Sequence, residues 1–322
     1  MMRPGAMAMI ALIISPTLGS GQEQPRFRAP GDAVVIDVSV LDGRRPVAGL
    51  AGADFELVDN GVPQRIITAD KSTLPLDISL LVDFSSSIVD GWTGGLIFAR
   101  HEPAGPWMSD GIKAILSLLR PEDRLRVIEV GSTMRTAKGR ALPSGVLSTS
   151  AKGQRTALFD AVALALVQKA DAGRRRVVIA MSDGHDTSSI SDFSLRSRLM
   201  ARSDAVVHVV AIGIRAFASI GTTRDRAPSP FRRPTSWSAN VGSYDWVFRD
   251  IAERTGGRFW ATNDAGDFVP ELRRIVEEFR SRYLLRYIPS GVEREGWHDV
   301  EVRLKEDRGW NVQARRGYFI GG

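Results

Sequence analysis

Four almost continuous apolar segments in the middle of the chain constrain its fold more than any other feature. They run over residues 76–83, 124–130, 176–183 and 205–214. Half-exposed strands would place such side chains in water on one face, so segments of this kind are typical of parallel strands that are covered on both faces. The middle of the chain is therefore predicted to contain a buried parallel sheet.

Amphipathic helical patterns lie between these strands. Apolar residues recur at spacings of three and four within 112–119, within 159–167 and again from about residue 267 to 279. Alternating strands and helices imply right-handed crossovers, which place helices on both faces of a sheet. We therefore predict an α/β domain at about residues 72–282, with a doubly wound, mostly parallel sheet.

The two ends of the chain carry patterns of another kind. Residues 34–41 alternate along an extended segment, and the tripeptide DNG at 59–61, between extended stretches at 54–58 and 64–68, is a strong hairpin signal. Residues 300–305 alternate between apolar and charged side chains, and 283–288 and 311–319 are two further extended segments. A ribbon of two or three strands is marginal by itself, so the simplest arrangement pairs residues 30–71 with 283–320 in one small β-sandwich. The α/β domain would then be inserted in this sandwich, and two independent ribbons packed on the main domain are the alternative.

The N-terminus has the order of a secretory signal peptide over residues 1–21. An arginine at position 3 precedes the apolar stretch 6–14, and small residues surround Pro16. The alternative is an N-terminal helix packed in the core. We expect export to the periplasm or the extracellular space, with no transmembrane segment in the mature chain.

The chain has no cysteine, which excludes disulfides and a lipid-attachment cysteine.

The charge of the chain does not identify a partner. The formal net charge is +6, and no stretch interleaves basic with aromatic residues. No nucleic-acid-binding motif is present either, so we expect no nucleic-acid partner.

Oxygen-bearing side chains gather where the predicted parallel strands end. Asp83, Ser85 and Ser87 follow one strand at alternate positions, Asp183 ends another, and Thr156 opens a helix. Because the carboxyl ends of parallel strands face one crevice, these side chains can meet there. Hard cations prefer oxygen ligands, so the five residues are predicted to hold one divalent ion, Mg²⁺ or else Mn²⁺ or Ca²⁺. Either aspartate taken alone is better explained as a residue that caps the turn after its strand, and only the five residues together favour a metal site.

The motifs DFSSS, GQRTALFDAV and MSDGHDTSS, in this order, resemble the von Willebrand factor A-type domain and its metal-ion-dependent adhesion site. The resemblance implies that the five residues hold the ion directly or through water, and that an open coordination position accepts a carboxylate from a partner. The flanks GRRPVAGLAGADFELVDNGVPQRI and SRYLLRYIPSG look like those of von Willebrand A-related proteins abundant in acidobacteria. Two features depart from the family pattern: the insertion at 91–107, and Phe84 where a small or polar residue is common.

These observations favour an exported adhesion or protein-interaction module that binds a protein or glycan ligand through the carboxylate of that ligand. The alternative is a structural envelope-assembly protein in which the ion only stabilises loops. The long loop at 216–244 follows a strand on the predicted metal face, which makes Arg232 and Arg233 candidate ligand contacts. His185 is a third candidate because it stands close to Asp183. We expect no enzymatic activity, since no nucleophile turn, P-loop or dinucleotide fingerprint appears and a metal-assisted hydrolase would need a general base.

Overall fold

The computed structural model of the 322-residue chain describes residues 33–85, 88, 105–131, 134–138, 155–169, 173–212, 245–262 and 264–321. The predicted signal segment at 1–21 and the predicted loop at 216–244 lie outside these ranges, as does most of the insertion at 91–107. No helix within the described part of the chain is long and apolar enough to cross a membrane.

The described residues form fifteen strands and five α-helices. The strands, in chain order, are β1 (Val34–Asp42), β2 (Arg45–Pro46), β3 (Phe55–Asp59), β4 (Val62–Gln64), β5 (Ile66–Lys71), β6 (Leu76–Asp83), β7 (Arg124–Val130), β8 (Arg135–Lys138), β9 (Arg175–Ser182), β10 (Val206–Ile212), β11 (Phe259–Thr262), β12 (Tyr283–Tyr287), β13 (Gly296–Leu304), β14 (Asn311–Ala314) and β15 (Gly317–Ile320). The helices are α1 (Gly105–Leu118), α2 (Leu158–Val167), α3 (Phe193–Arg202), α4 (Asp245–Thr255) and α5 (Ala265–Ser281).

The α/β unit is built on a six-stranded sheet with the order β11-β10-β9-β6-β7-β8. All neighbouring strands in it are parallel except β7 and β8. Every residue of β6 and of β10 is buried, because helices α1 and α5 cover one face of the sheet while α2, α3 and α4 cover the other. The α/β architecture predicted from the apolar segments is confirmed.

Aspartate caps fix the start of two of the helices. Asp192 accepts the N–H of Leu195 (2.6 Å) at the start of α3, and Asp264 accepts the N–H of Gly266 (2.7 Å) at the start of α5. These bonds satisfy backbone donors that have no partner inside the helix. The apolar face predicted for α5 packs into the core through Phe268, Leu272, Ile275, Val276 and Phe279.

The terminal strands form two sheets that share one hydrophobic cluster. One sheet has the order β14-β1-β12-β5 with β2 beside β1, and the other has the order β15-β13-β3-β4. The buried side chains of this cluster include Val34, Ile36, Val38, Phe55, Leu57, Leu285, Tyr287 and Tyr318.

One predicted strand divides between these two sheets. The hairpin turn forms as expected, with Asn60 (φ 46°) and Gly61 (φ 79°) in left-handed conformations and Asp59 paired with Val62. The stretch 64–68, predicted as one extended segment, instead ends its pairing with β3 at Gln64 and continues as β5 along β12 in the other sheet. An extended pattern does not reveal this switch, because the pairing partner lies more than two hundred residues away in sequence.

Buried charges join the terminal sheets to the α/β unit. Arg175 at the start of β9 donates to Asp37 of β1, with 2.6 Å between Nη2 and Oδ2. Arg282, completely buried between α5 and β12, donates to Glu278 at 2.9 Å. Burial by itself would raise the pKa of Glu278, but the positive charge of Arg282 outweighs this effect and lowers the pKa to about 2. Each positive charge is therefore paired where it leaves water, as buried ions require.

His208 is a core residue of β10, as its position in an apolar strand predicts. Its ring is completely buried, and Nδ1 accepts the N–H of Arg258 (3.3 Å). Nε2 has no hydrogen-bond partner among the described residues. Burial, and then the charge of Arg282, lowers the pKa of His208 to about 3. The imidazole is therefore neutral in the folded protein.

Acid is expected to destabilise the fold through His208. Because its pKa falls from 6.5 to about 3 on folding, only the unfolded chain binds the proton in this window, so stability falls as pH drops below about 6.5. The contribution between pH 6.5 and 5 is about 2 kcal/mol. His208→Asn retains an acceptor for the Arg258 N–H but cannot titrate. Urea unfolding across this range should show a smaller pH dependence in the variant, and equal slopes would contradict the assignment.

Candidate metal centre

Asp83 is the last residue of β6, and its side chain is completely buried. Its Oδ2 accepts a hydrogen bond from Ser182 Oγ (2.5 Å), and its Oδ1 accepts the backbone N–H of Ser85 (2.8 Å). Strand β6 lies beside β9 in the sheet, so Ser182 and Asp183 end at the same edge. Two neighbouring segments therefore hold the Asp83 carboxylate in one orientation.

The buried carboxylates of Asp83 and Asp183 repel each other. Burial, followed by the negative charge of Asp183, raises the pKa of Asp83 to about 7. Hydrogen bonds from Ser182 and Ser85 oppose this shift without cancelling it. A divalent cation between the two groups would remove the repulsion, because an opposite charge favours the ionised form.

Thr156 reaches this edge of the sheet through backbone hydrogen bonds. Ala157 donates its N–H to Gly131 O (3.3 Å) directly after β7. The N–H groups of Thr187 and Ser188 donate to Thr156 O (2.9 and 3.1 Å), and Thr156 N–H donates back to Thr187 Oγ1 (2.8 Å). Thr156 is consequently buried between the end of β7 and the segment that follows Asp183.

Two further aspartates, which the sequence did not assign to the site, clamp its outer loop. Asp186 accepts the N–H of Phe159 (2.8 Å) at the start of α2. Asp160 accepts the N–H groups of Ile190 (2.9 Å) and Ser191 (2.8 Å). Burial by itself would raise the pKa of Asp160, but the hydrogen bonds from Ser191 and Ile190 outweigh this effect and lower the pKa. The partners are about thirty residues apart, so no local sequence signal reveals these contacts.

Four of the five predicted metal ligands lie at this edge, namely Asp83, Ser85, Thr156 and Asp183. Ser87 lies outside the described residues, as do Arg232 and Arg233. The structure therefore places these four residues at one edge of the sheet, and the ligand role of all five residues, like the contact role of the two arginines, stays a prediction.

His185 stands directly beside Asp183. Its backbone N–H donates to Asp183 Oδ1 (3.0 Å), and its ring Nδ1 lies 3.4 Å from the same oxygen. The Asp183 carboxylate raises the pKa of His185 against the effect of burial. The imidazole therefore faces the candidate centre, with its side chain about one third exposed (30%).

Phe84 points away from the crevice. It is buried in the hydrophobic cluster beneath α1 and α5, together with Ile88 and Met108. Successive residues of a strand point to opposite faces, so Asp83 and Phe84 separate at this point. The aromatic ring that departs from the family pattern therefore packs into the core instead of narrowing access to the site.

The donor set fits a hard divalent cation. Within the described ranges, no group of three or more His, Cys, Asp and Glu residues is arranged to hold a metal. The candidate centre depends instead on two carboxylates together with serine and threonine hydroxyls. Oxygen donors of this kind suit Mg²⁺ or Mn²⁺, with water completing the coordination.

No protein-family profile matches the sequence, and a search of the curated proteins finds no similar one. Among solved structures, the chain is similar to an aerotolerance-related membrane protein from Bacteroides fragilis, with 16% identity over 63% of this chain and 98% of that chain and a TM-score of 0.45. A von Willebrand factor type A protein from Catenulispora acidiphila is 11% identical over 90% and 74% of the two chains, with a TM-score of 0.44.

Proximal thread matrix protein 1 from the mussel byssus, with a zinc-occupied MIDAS motif, is 15% identical over 64% of this chain and 48% of that chain, with a TM-score of 0.43. The solved structures similar to this chain thus include several von Willebrand factor A-type proteins, the family that its motifs resemble.

Proposed function

We propose that the chain is a metal-dependent protein-interaction module that binds an acidic group of its partner through a divalent ion. The observation that carries the proposal is the pair of buried carboxylates, Asp83 and Asp183, at the carboxyl edge of the parallel sheet. Ser85, Ser87 and Thr156 are the hydroxyl ligands of the proposed site. A bound ion would supply a Lewis-acid position for a carboxylate oxygen of a protein or glycan.

The surrounding residues prepare the site before a partner arrives. The Ser182 hydroxyl and the Ser85 N–H orient Asp83, and the bonds from Asp186 and Asp160 hold the loop after Asp183 against α2. A loop fixed in advance loses little conformational entropy on binding. This organisation supports recognition of a partner at the metal face.

The location of the protein and its outer contacts form part of the proposal. The predicted signal segment at 1–21 supports export to the periplasm or the extracellular space. The loop at 216–244 follows β10, which ends at the same edge as Asp183, and this position supports Arg232 and Arg233 as contacts for an acidic partner.

We also propose that the terminal sheets form a β-sandwich into which the α/β unit is inserted. The last residue of β5, Lys71, pairs with the first residue of β12, Tyr283. The chain thus leaves the terminal sheets and returns to them at directly neighbouring positions. Such an arrangement is typical of a domain inserted between paired strands.

Capture of a partner should depend on both the ion and its hydroxyl ligands. Removing the Ser85 hydroxyl with Ser85→Ala is expected to lower Mg²⁺-dependent capture from an envelope extract by about tenfold or more. Ser79→Ala is the matched control, because Ser79 is another buried serine of the β6 segment far from the metal edge. The measurement is a quantitative pull-down with Mg²⁺ and with EDTA. Capture that is insensitive to EDTA, from protein shown to bind Mg²⁺, would favour a purely structural ion.

A further inference from the structure

A cavity of about 370 Å³ lies where the terminal sheets meet the α/β unit. Its walls come from the segment after β5, the turn between α1 and β7, and the last turn of α5. The volume is that of a small-molecule site, and such sites occur preferentially at junctions of this kind. Strands β6 and β7 begin beside the cavity and run away from it in parallel, so it lies at the opposite end of the sheet from Asp83.

Three positively charged side chains line this cavity, namely Lys71, Arg120 and Arg280. The guanidinium of Arg280 donates to the completely buried carboxylate of Asp123 and to Leu118 O (3.1 Å). Asp123 also accepts the backbone N–H of Arg120 (2.6 Å), so one buried group fixes two parts of the wall.

The charges in the wall are not all balanced. Burial by itself would raise the pKa of Asp123, but the hydrogen bond from Arg280 and those from backbone N–H groups outweigh this effect and lower the pKa. Asp123 therefore stays ionised and balances Arg280. Lys71 is exposed and forms no ion pair with any residue that the structure describes, so its ammonium is available to an acidic group of a ligand.

Hydroxyl groups with different hydrogen-bonding roles line the same cavity. Ser281 Oγ donates its proton to Glu278 O (2.7 Å), so its lone pairs remain to accept. Ser72 Oγ accepts the N–H of Leu74 (3.4 Å), so its proton remains to donate. Thr73 adds a third hydroxyl. A ligand rich in hydroxyls matches both roles, because each of its hydroxyls donates and accepts.

A carboxylate in the wall distinguishes between two kinds of acidic ligand. Glu277 is exposed and lines the cavity together with Lys71. It repels a compact anion such as phosphate, whereas it accepts strong hydrogen bonds from the hydroxyls of a sugar. The combination of an available ammonium, a carboxylate and three hydroxyls therefore fits a ligand that carries one acidic group among several hydroxyls.

We propose that the cavity binds a sugar acid, such as a hexuronate unit of an acidic glycan, independently of the metal ion. The carboxylate of the sugar pairs with the Lys71 ammonium, and its hydroxyls form hydrogen bonds with Ser72, Ser281 and Glu277. This site goes beyond the proposed function, because it lies at the other end of the parallel sheet and needs no ion.

Glucuronate and glucose are suitable probes, because glucose has the same ring hydroxyls but no carboxylate. Titration of the full chain in EDTA, followed by calorimetry, should show that the wild type binds glucuronate at least about tenfold more tightly than glucose, as the loss of a charge-assisted hydrogen bond implies. Binding should be the same in Mg²⁺. Lys71→Gln should lose this preference for glucuronate and keep its affinity for glucose.

Lys169→Gln is the matched control for the loss of one positive charge. Lys169 is an exposed lysine directly after α2, which covers the face of the sheet opposite to α1 and α5. Its replacement should leave both affinities unchanged.

Glu277→Ala tests the class of ligand through the sign of its effect. Although the substitution removes a negative charge, it should weaken glucuronate binding by about threefold, because the sugar hydroxyls lose an acceptor. A site for a bare anion would respond in the opposite direction, with tighter binding of both glucuronate and inorganic phosphate.

The outcomes that would overturn this proposal are distinct from those that test the metal centre. Absence of glucuronate binding in the wild type, or binding that Lys71→Gln leaves intact, would contradict the cavity site and leave the metal-dependent function untouched. Binding that EDTA abolishes would place the sugar acid at the metal edge instead. Tighter glucuronate binding by Glu277→Ala would show that the cavity recognises only an anion and not a sugar.

Discussion

Asp83→Asn is expected to abolish the stabilisation that divalent ions give to the protein. In the wild type, free Mg²⁺ at a hundred times its Kd should add about 2.7 kcal/mol to the free energy of unfolding, and the variant should gain nothing. The asparagine fits the same buried space: its carbonyl can accept the Ser85 N–H, and its amide can donate to Ser182 Oγ. Loss of the ion therefore need not involve loss of the fold.

Without ions, the order of stability should reverse above neutral pH. The folded state holds the Asp83 proton between pH 3.8 and about 7 and the unfolded state does not, so the stability of the ion-free wild type falls as pH rises through this window. Asp83→Asn carries no such penalty, and it should equal or exceed the wild type in EDTA at pH 8. The difference should shrink at pH 5.

Urea unfolding in EDTA and in Mg²⁺, at pH 5 and pH 8, measures both effects. Asp110→Asn is a suitable control, because Asp110 is an exposed aspartate on α1 that forms an ion pair with the equally exposed Lys113 one turn further along the helix. Ion-dependent stabilisation that persists in Asp83→Asn would show that the ion binds elsewhere.

Asp59→Ala is expected to be the most destabilising substitution in the terminal sheets. Asp59 Oδ2 accepts hydrogen bonds from the hydroxyls of Tyr287 and Tyr318, both at 2.8 Å, and Oδ1 lies 2.9 Å from Nδ1 of His298. All four side chains are completely buried. Burial raises the pKa of both tyrosines, so their hydroxyls remain protonated donors. The two hydroxyls also lie 3.0 Å from each other, so alanine would leave only one of them with an acceptor.

We expect a loss of about 3–5 kcal/mol in the free energy of unfolding, because each buried polar group left without a hydrogen-bond partner costs about 1–3 kcal/mol. Urea denaturation of the full chain measures this loss. Asp42→Ala provides the control at an exposed aspartate on β1, and it should change stability by no more than about 0.5 kcal/mol. A loss in Asp59→Ala as small as that of the control would mean that the buried network is energetically unimportant.

Local patterns in the sequence were enough to predict the central sheet and the edge at which Asp83 and Asp183 lie. Strand β7 covers residues 124–130 as predicted, because a strand buried on both faces must be apolar at almost every position. Asp83 and Asp183 were expected to lie close together because parallel strands end at one edge. The pairing of β6 with β9 confirms that the two strands that carry them are neighbours in the sheet.

The terminal strands were harder to place. Their alternating patterns reveal extended segments with one wet face, yet 64–68 and 311–319 each divide between two sheets. No sequence pattern reveals that His298 stacks on Tyr318, with ring centroids 4.6 Å apart, and contacts Asp59, 239 residues earlier in the chain.

The sequence by itself determined the buried parallel strands, three of the helices and the edge at which the oxygen donors gather, because burial periodicity is a local property and parallel strands end at one edge. Only the tertiary structure decided which groups surround those donors. The clamps from Asp186 and Asp160 and the bond from Ser182 to Asp83 join segments that no short-range pattern connects. Hydrogen bonds and charge interactions depend on distance in space, and the folded chain alone sets that distance.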